Sequence, residues 1–179
     1  MSPLLVLLRG VNVGGRARLP MAELRAALSD AGLADVRTHL QSGNLLIREP
    51  SDRSIPLAGA VEQVIEDRFG LQVRAMTRTR EEVSDVVGRN PFLEPGVSPT
   101  TIHTVFLEAD PGSSRVAGLD PDRSPPDRFV VSGREIYVHY PGGSGRSKLA
   151  LDYFERRLGV VGTARNWNTV TKLLELLSA

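Results

Sequence analysis

Short apolar runs and helix-period stretches follow one another in the same order twice along this chain, and that repetition limits its fold more than any other feature. In the first pass an apolar run ends near Arg9, and a helix follows from Pro20, with Leu24, Ala27, Leu28 and Ala31 on one face and Gly32 as its stop. Residues 36–41 and 45–48 read as a hairpin through Ser42-Gly43-Asn44. Leu57, Val61, Val64, Ile65 and Phe69 then keep helical spacing up to Gly70, and residues 71–76 alternate as a strand does. The second pass starts after a helix opened by a capping box, Thr79 to Glu82, and a Pro-rich stretch over 90–99. It comprises a strand over 102–107, a short helix over 113–119, a hairpin through Ser132-Gly133-Arg134, a helix over 148–158 stopped by Gly159, and a short strand at Val160-Val161. Each pass is βαββαβ. The expected fold class is α+β with two subdomains, 1–89 and 90–179, and a last helix over 169–177 that packs across the halves.

The chain's 179 residues, 41% hydrophobic and 24% charged, suit a soluble globular protein with a real core. A formal net charge of +1 argues against coating nucleic acid or membrane by bulk attraction, so a polyanion site has to arise from local clustering. Only Lys148 and Lys172 among the 22 basic residues are lysine; with so much Ala, Gly, Pro and Val beside it, this bias reflects GC-rich coding more than function. Cysteine is absent, which excludes disulfides and thiolate chemistry and fits a reducing cytosol. No apolar segment nears the ~18 residues of a membrane span, so a cytoplasmic protein without a membrane partner is expected.

The segment Arg9-Gly10-Val11-Asn12-Val13-Gly14-Gly15-Arg16-Ala17-Arg18 joins the first strand to the first helix. Glycines allow close backbone approach, a helix N-terminus presents unpaired N–H groups, and arginines add full charge. A connection that needs glycine for backbone reasons explains Gly10, Gly14 and Gly15 but not Asn12 beside Arg9, Arg16 and Arg18. The segment is not a Walker A site, because Arg16 and Ala17 stand where Lys and Ser/Thr would be, and it lacks the dinucleotide glycine spacing. Neither ATP nor NAD is implied, and no cofactor is expected.

A second glycine-rich loop, 141–148, carries Lys148 and a serine, Ser147, placed to cap the following helix; a flexible connection explains its composition equally well. Thr163-Ala164-Arg165-Asn166-Trp167-Asn168-Thr169 precedes the last helix, with Asn168 or Thr169 as cap and Trp167 as a core anchor. Arg165, set among such constrained residues, is a ligand candidate. The polar turn Gln41-Ser42-Gly43-Asn44 is read as a hairpin turn. Histidines 39, 103 and 139 fall on separate strands without ligand spacing, so no metal is expected. No nucleophile elbow is present.

Taken together, Leu8-Arg9-Gly10-Val11-Asn12-Val13-Gly14-Gly15, Pro20-Met21, Val36-Arg37-Thr38, Gln41-Ser42-Gly43-Asn44, Asn90-Pro91-Phe92, Ser147-Lys148-Leu149 and Thr163 to Leu173 resemble the bacterial domain-of-unknown-function family DUF1697 over nearly the whole chain. The resemblance implies a cytoplasmic α+β protein made by tandem duplication of two ferredoxin-like subdomains. It brings no established activity. The family commonly has a tyrosine where this chain has His39.

The residues therefore point first to a non-enzymatic binder of a phosphate-bearing ligand, nucleic acid before others, through Arg9, Asn12, Gly14, Gly15, Arg16, Arg18, Lys148 and Arg165. Two alternatives stay open. One is an enzyme acting on a small phosphorylated or carboxylated metabolite in a cleft between the halves, with arginines holding the charge and Asp152 or Glu155 as general base; the other is an interaction module whose polar motifs lock loops.

Overall fold

A computed structural model describes residues 3–48 and 54–179. The described residues form two four-stranded antiparallel sheets and six α-helices. Chain order is β1 (Leu4–Leu8), α1 (Met21–Asp30), β2 (Ala34–His39), β3 (Asn44–Arg48), α2 (Leu57–Phe69), β4 (Ala75–Arg78) and α3 (Arg80–Gly88), followed by β5 (Ile102–Leu107), α4 (Ser113–Ala117), β6 (Arg128–Ser132), β7 (Glu135–His139), α5 (Leu151–Leu158), β8 (Gly162–Asn166) and α6 (Trp167–Ser178). The chain divides into two compact units, Met1–Val83 with Leu173–Ala179, and Ser84–Lys172, so the division falls inside α3 and α6. No helix among the described residues is long and apolar enough to cross a membrane.

In the first unit the strand order is β2-β3-β1-β4. Val6 and Leu8 of β1 and Leu45 and Ile47 of β3 share one face, where they pack with Leu24 and Leu28 of α1 and Val61 and Ile65 of α2. Leu5, Leu7, Leu46 and Met76, on the opposite face, are buried as well, which is why β1 and β3 read as continuous apolar runs rather than alternating ones. Helix α2 ends at Gly70 in the left-handed region, its N–H bonded to Glu66 O.

The second unit has the matching order β6-β7-β5-β8. Val105, Leu107, Ile136 and Val138 form its core with Phe154 and Leu158 of α5, and Gly159 ends that helix as Gly70 ends α2. One further correspondence is chemical: Glu62 of α2 accepts the Ala75 N–H at 2.8 Å, and Glu155 of α5 accepts the Gly162 N–H at 3.0 Å. In each unit a helix carboxylate holds the first residue of the last strand.

Several boundaries differ from the sequence expectation. The strand expected over 71–76 begins at Ala75, because β1 offers ladder partners only as far as the Leu8–Ala75 pair and the Arg9 N–H to Arg74 O bond. The last strand is Gly162–Asn166, not Val160-Val161, since its register is set by pairing with β5 from Leu107–Gly162 to His103–Asn166. Helix α5 starts at Leu151 rather than Lys148, and Ser147 does not cap it: the Ser147 hydroxyl accepts the Leu149 N–H instead. Helix α6 starts at Trp167 rather than Thr169. Its first turn is capped by Asn166, whose Oδ1 accepts the Asn168 N–H at 2.8 Å, so Asn168 lies within the helix.

The capping box forms as expected. Thr79 N–H donates to Glu82 at 2.8 Å and Glu82 N–H donates to the Thr79 hydroxyl at 3.1 Å. Thr79→Ala lowers stability by about 1 kcal/mol in urea denaturation, the usual cost of losing such a cap; an unchanged midpoint would show that the hydroxyl half of the box contributes nothing.

On β5, the His103 imidazole meets the Tyr140 ring edge-on at 5.2 Å, and its buried Nδ1 has no hydrogen-bond partner. Burial holds this imidazole below its ordinary pKa of 6.5. In the unfolded chain His103 takes up a proton as pH falls through about 6.5, whereas the folded protein resists until lower pH, so acidification costs stability. His103→Gln is therefore expected to flatten the fall in stability between about pH 7 and pH 5; denaturation at the two pH values checks it.

Candidate functional site

Segment 9–18 folds into a small hairpin with its own turn. Val13 and Arg16 pair as an isolated antiparallel bridge, and Gly14 and Gly15 between them have φ of 58° and 73°. Positive φ at both central residues is what a two-residue turn of this kind requires, and a Cβ at either position would meet nothing within 4 Å. Conformation, not crowding, requires glycine here. Below the turn, Asn12 N–H donates to Ala17 O at 3.1 Å, with both residues in the left-handed region.

Asn12 fixes this hairpin to the body of the unit. Its Nδ2 donates to Leu19 O at 2.9 Å and Gln41 O at 2.7 Å, and its Oδ1 accepts the Leu19 N–H at 2.8 Å. Both amide protons and the carbonyl are thereby used within the protein. Asn12 thus anchors the loop.

The partner turn is equally constrained. Gly43 O accepts the Leu8 N–H at 2.8 Å, and Gly43 itself has φ of 81°. A Cβ there would lie 2.7 Å from Leu8 Cβ and 2.7 Å from Val11 Cγ2. Fully buried Asn44 donates to His39 O at 2.7 Å and to the Ser42 hydroxyl at 3.1 Å. The Asn44 amide thus ties the turn together through the Ser42 hydroxyl and the His39 carbonyl.

Outward from this scaffold stand Arg16 and Arg18, exposed, with side chains that find no partner among the described residues. Arg9 is half-buried at the hairpin's base and its N–H bonds Arg74 O. The following helix has no side-chain cap: Pro20 occupies the N-cap position, and Glu23 stands in the first turn. Six of the sequence-selected residues, Arg9, Asn12, Gly14, Gly15, Arg16 and Arg18, therefore share one braced loop in the first unit.

Lys148 and Arg165 belong to the second unit. Lys148 is exposed on a loop whose backbone is tied down: its N–H donates to the Ser124 hydroxyl at 3.0 Å and its carbonyl accepts from Arg123 Nε at 3.0 Å. Arg165 lies inside β8 and is only 6% exposed, with Nη1 donating to the Thr163 hydroxyl at 2.7 Å and Ala164 O at 2.8 Å. Burial pushes its guanidinium down to about 10, still charged at neutral pH. Arg78 repeats this arrangement in the first unit: it is 1% exposed, faces Leu5 across the ladder as Arg165 faces Thr104, and donates to the preceding carbonyl, Thr77 O, at 2.8 Å. The sequence reading missed Arg78; the signal was an arginine at the fourth position of β4 and of β8. Trp167 is buried, as a core anchor should be.

No group of three or more His, Cys, Asp or Glu side chains among the described residues is arranged to hold a metal ion. No curated protein matches the chain. A solved structure described as that of the conserved bacterial protein SP0830 from Streptococcus pneumoniae is similar to it with a TM-score of 0.71 and 21% identity, covering 98% of each chain, a likeness of fold. Residues 1–137 match the family described as "Protein of unknown function (DUF1697)", and the chain belongs to that family.

Proposed function

We propose that this protein is a non-enzymatic, cytosolic binder of phosphate-bearing ligands, nucleic acid in particular, built as a duplicated pair of ferredoxin-like units. The repeated strand order, the matched Arg78 and Arg165, and the matched Glu62 and Glu155 support the duplication. One observation carries the binding reading: Asn12 braces a hairpin whose exposed arginines, Arg16 and Arg18, have no partner among the described residues. A loop whose backbone is already fixed avoids the cost of ordering it on meeting a phosphate, leaving only the arginine side chains to be ordered, so the brace favours binding.

An enzymatic reading has less support. Asp152 pairs with Arg156 at 3.0 Å on the surface of α5, and Glu155 holds the Gly162 N–H, so both candidate general bases already serve the fold. The test is fluorescence anisotropy of a labelled single-stranded oligonucleotide at low salt. Wild type is expected to bind and the Arg16→Ala/Arg18→Ala variant to bind at least tenfold more weakly; a folded wild type that leaves the anisotropy flat removes the proposal.

A further inference from the structure

In the second unit Asp120, Arg123, Tyr153, Arg156 and Arg157 line an open cavity of about 510 Å³. The segment leading out of α4 supplies the first two, and α5 the others. None of them featured in the sequence reading, because 30 residues of chain separate Arg123 from Tyr153.

The arginines are held from behind. The Arg123 guanidinium lies 4.0 Å from the Tyr153 ring centroid while its Nε donates to Lys148 O at 3.0 Å, leaving both Nη groups without a partner among the described residues. Arg157 spends one Nη on Gly118 O. Arg156 spends Nε and one Nη on Asp152, at 3.3 and 3.0 Å. Every one of the three keeps unsatisfied N–H donors, and two are fixed by stacking or by a backbone carbonyl.

Tyr153 adds an independent indication. It is only 5% exposed, and its hydroxyl oxygen accepts the Asp120 N–H at 3.1 Å, yet the hydroxyl proton has no acceptor among the described residues. The hydroxyl of this buried tyrosine keeps a proton to donate, and an anion in the cavity would accept it. Asp120 is the one opposing charge in the lining; Asp122 N–H occupies its Oδ1 at 2.9 Å, and its other oxygen has no partner among the described residues.

We propose that this cavity beside α5 binds a phosphate monoester, with the terminal phosphate on Arg123, Arg156, Arg157 and the Tyr153 hydroxyl and the organic part toward Asp120. Separate guanidinium groups suit a group with three terminal oxygens better than a two-oxygen carboxylate, and the volume falls in the range that holds a small organic ligand. The site is independent of the Arg16 and Arg18 loop and does not rest on nucleic-acid binding.

Isothermal titration calorimetry with adenosine 5′-monophosphate, inorganic phosphate and adenosine tests it. Wild type is expected to bind the monophosphate, to bind phosphate more weakly and to ignore adenosine. Arg123→Gln is expected to raise Kd about tenfold or more. Arg156→Gln, whose side chain is 73% exposed, is expected to shift Kd in the same direction, with circular dichroism checking that the variant is folded. The Arg16→Ala/Arg18→Ala variant is expected to keep wild-type affinity. Absence of heat from the monophosphate with wild type, undiminished affinity in both glutamine variants, or equal loss in the Arg16/Arg18 variant each overturns the proposal.

Discussion

Replacing Gly43 by alanine is expected to lower stability by about 3 kcal/mol or more, the larger of the two greatest losses anticipated for single changes around the candidate site. Two costs add. The residue sits at φ of 81°, where a Cβ is disfavoured by roughly 1–2 kcal/mol. The new methyl would also lie 2.7 Å from Leu8 Cβ and from Val11 Cγ2, both on buried residues without room to retreat, and overpacking of that sort costs about 1–3 kcal/mol. Gly14→Ala is the control: its φ is 58°, but nothing lies within 4 Å of a Cβ there, so only the first cost applies. Urea denaturation of the two variants separates them. Equal midpoints would show that the contact between the β2–β3 turn and the base of the loop is not tight.

Asn12→Ala is expected to cost about 2–3 kcal/mol. It removes three hydrogen bonds, each worth roughly 0.5–1.5 kcal/mol net, and puts alanine at φ of 54°, a conformation asparagine tolerates better. The functional consequence is more specific. If Asn12 braces the loop without touching ligand, oligonucleotide affinity falls because the arginines lose their fixed support, while the number of phosphates they neutralise stays the same. Stability and affinity should therefore drop together, with the salt dependence of binding unchanged. A variant of wild-type stability that no longer binds would make Asn12 a ligand contact and contradict the bracing role.

What could be read from the sequence was what neighbours along the chain decide. Gly70 and Gly159 stop their helices, Thr79 and Glu82 close a capping box, and the Ser-Gly turns close hairpins, because each signal and its partner lie within a few residues. Val160-Val161 looked like a strand on β-branched character alone, but the register of β8 is chosen by β5, more than fifty residues earlier. Ser147 looked like a helix cap; Ser124, on a separate segment, takes the Lys148 N–H, and the helix starts later. Arg165 reads as a ligand candidate in a polar motif, and nothing local marks it as an arginine buried within a strand. Asn12 stands out among its glycines as a ligand candidate, but one of its partners, Gln41 O, is 29 residues away, so its bracing bonds could not be read from neighbouring residues.

The most direct measurement of the central claim is the slope of log K against log salt concentration for a single-stranded oligonucleotide, taken for wild type and for Arg16→Ala/Arg18→Ala. Each phosphate neutralised on a single strand contributes roughly −0.7 to that slope. If Arg16 and Arg18 each neutralise one phosphate, the variant's slope is shallower by about 1.4. Identical slopes for the two proteins would contradict the claim that this braced loop is where the phosphate backbone binds.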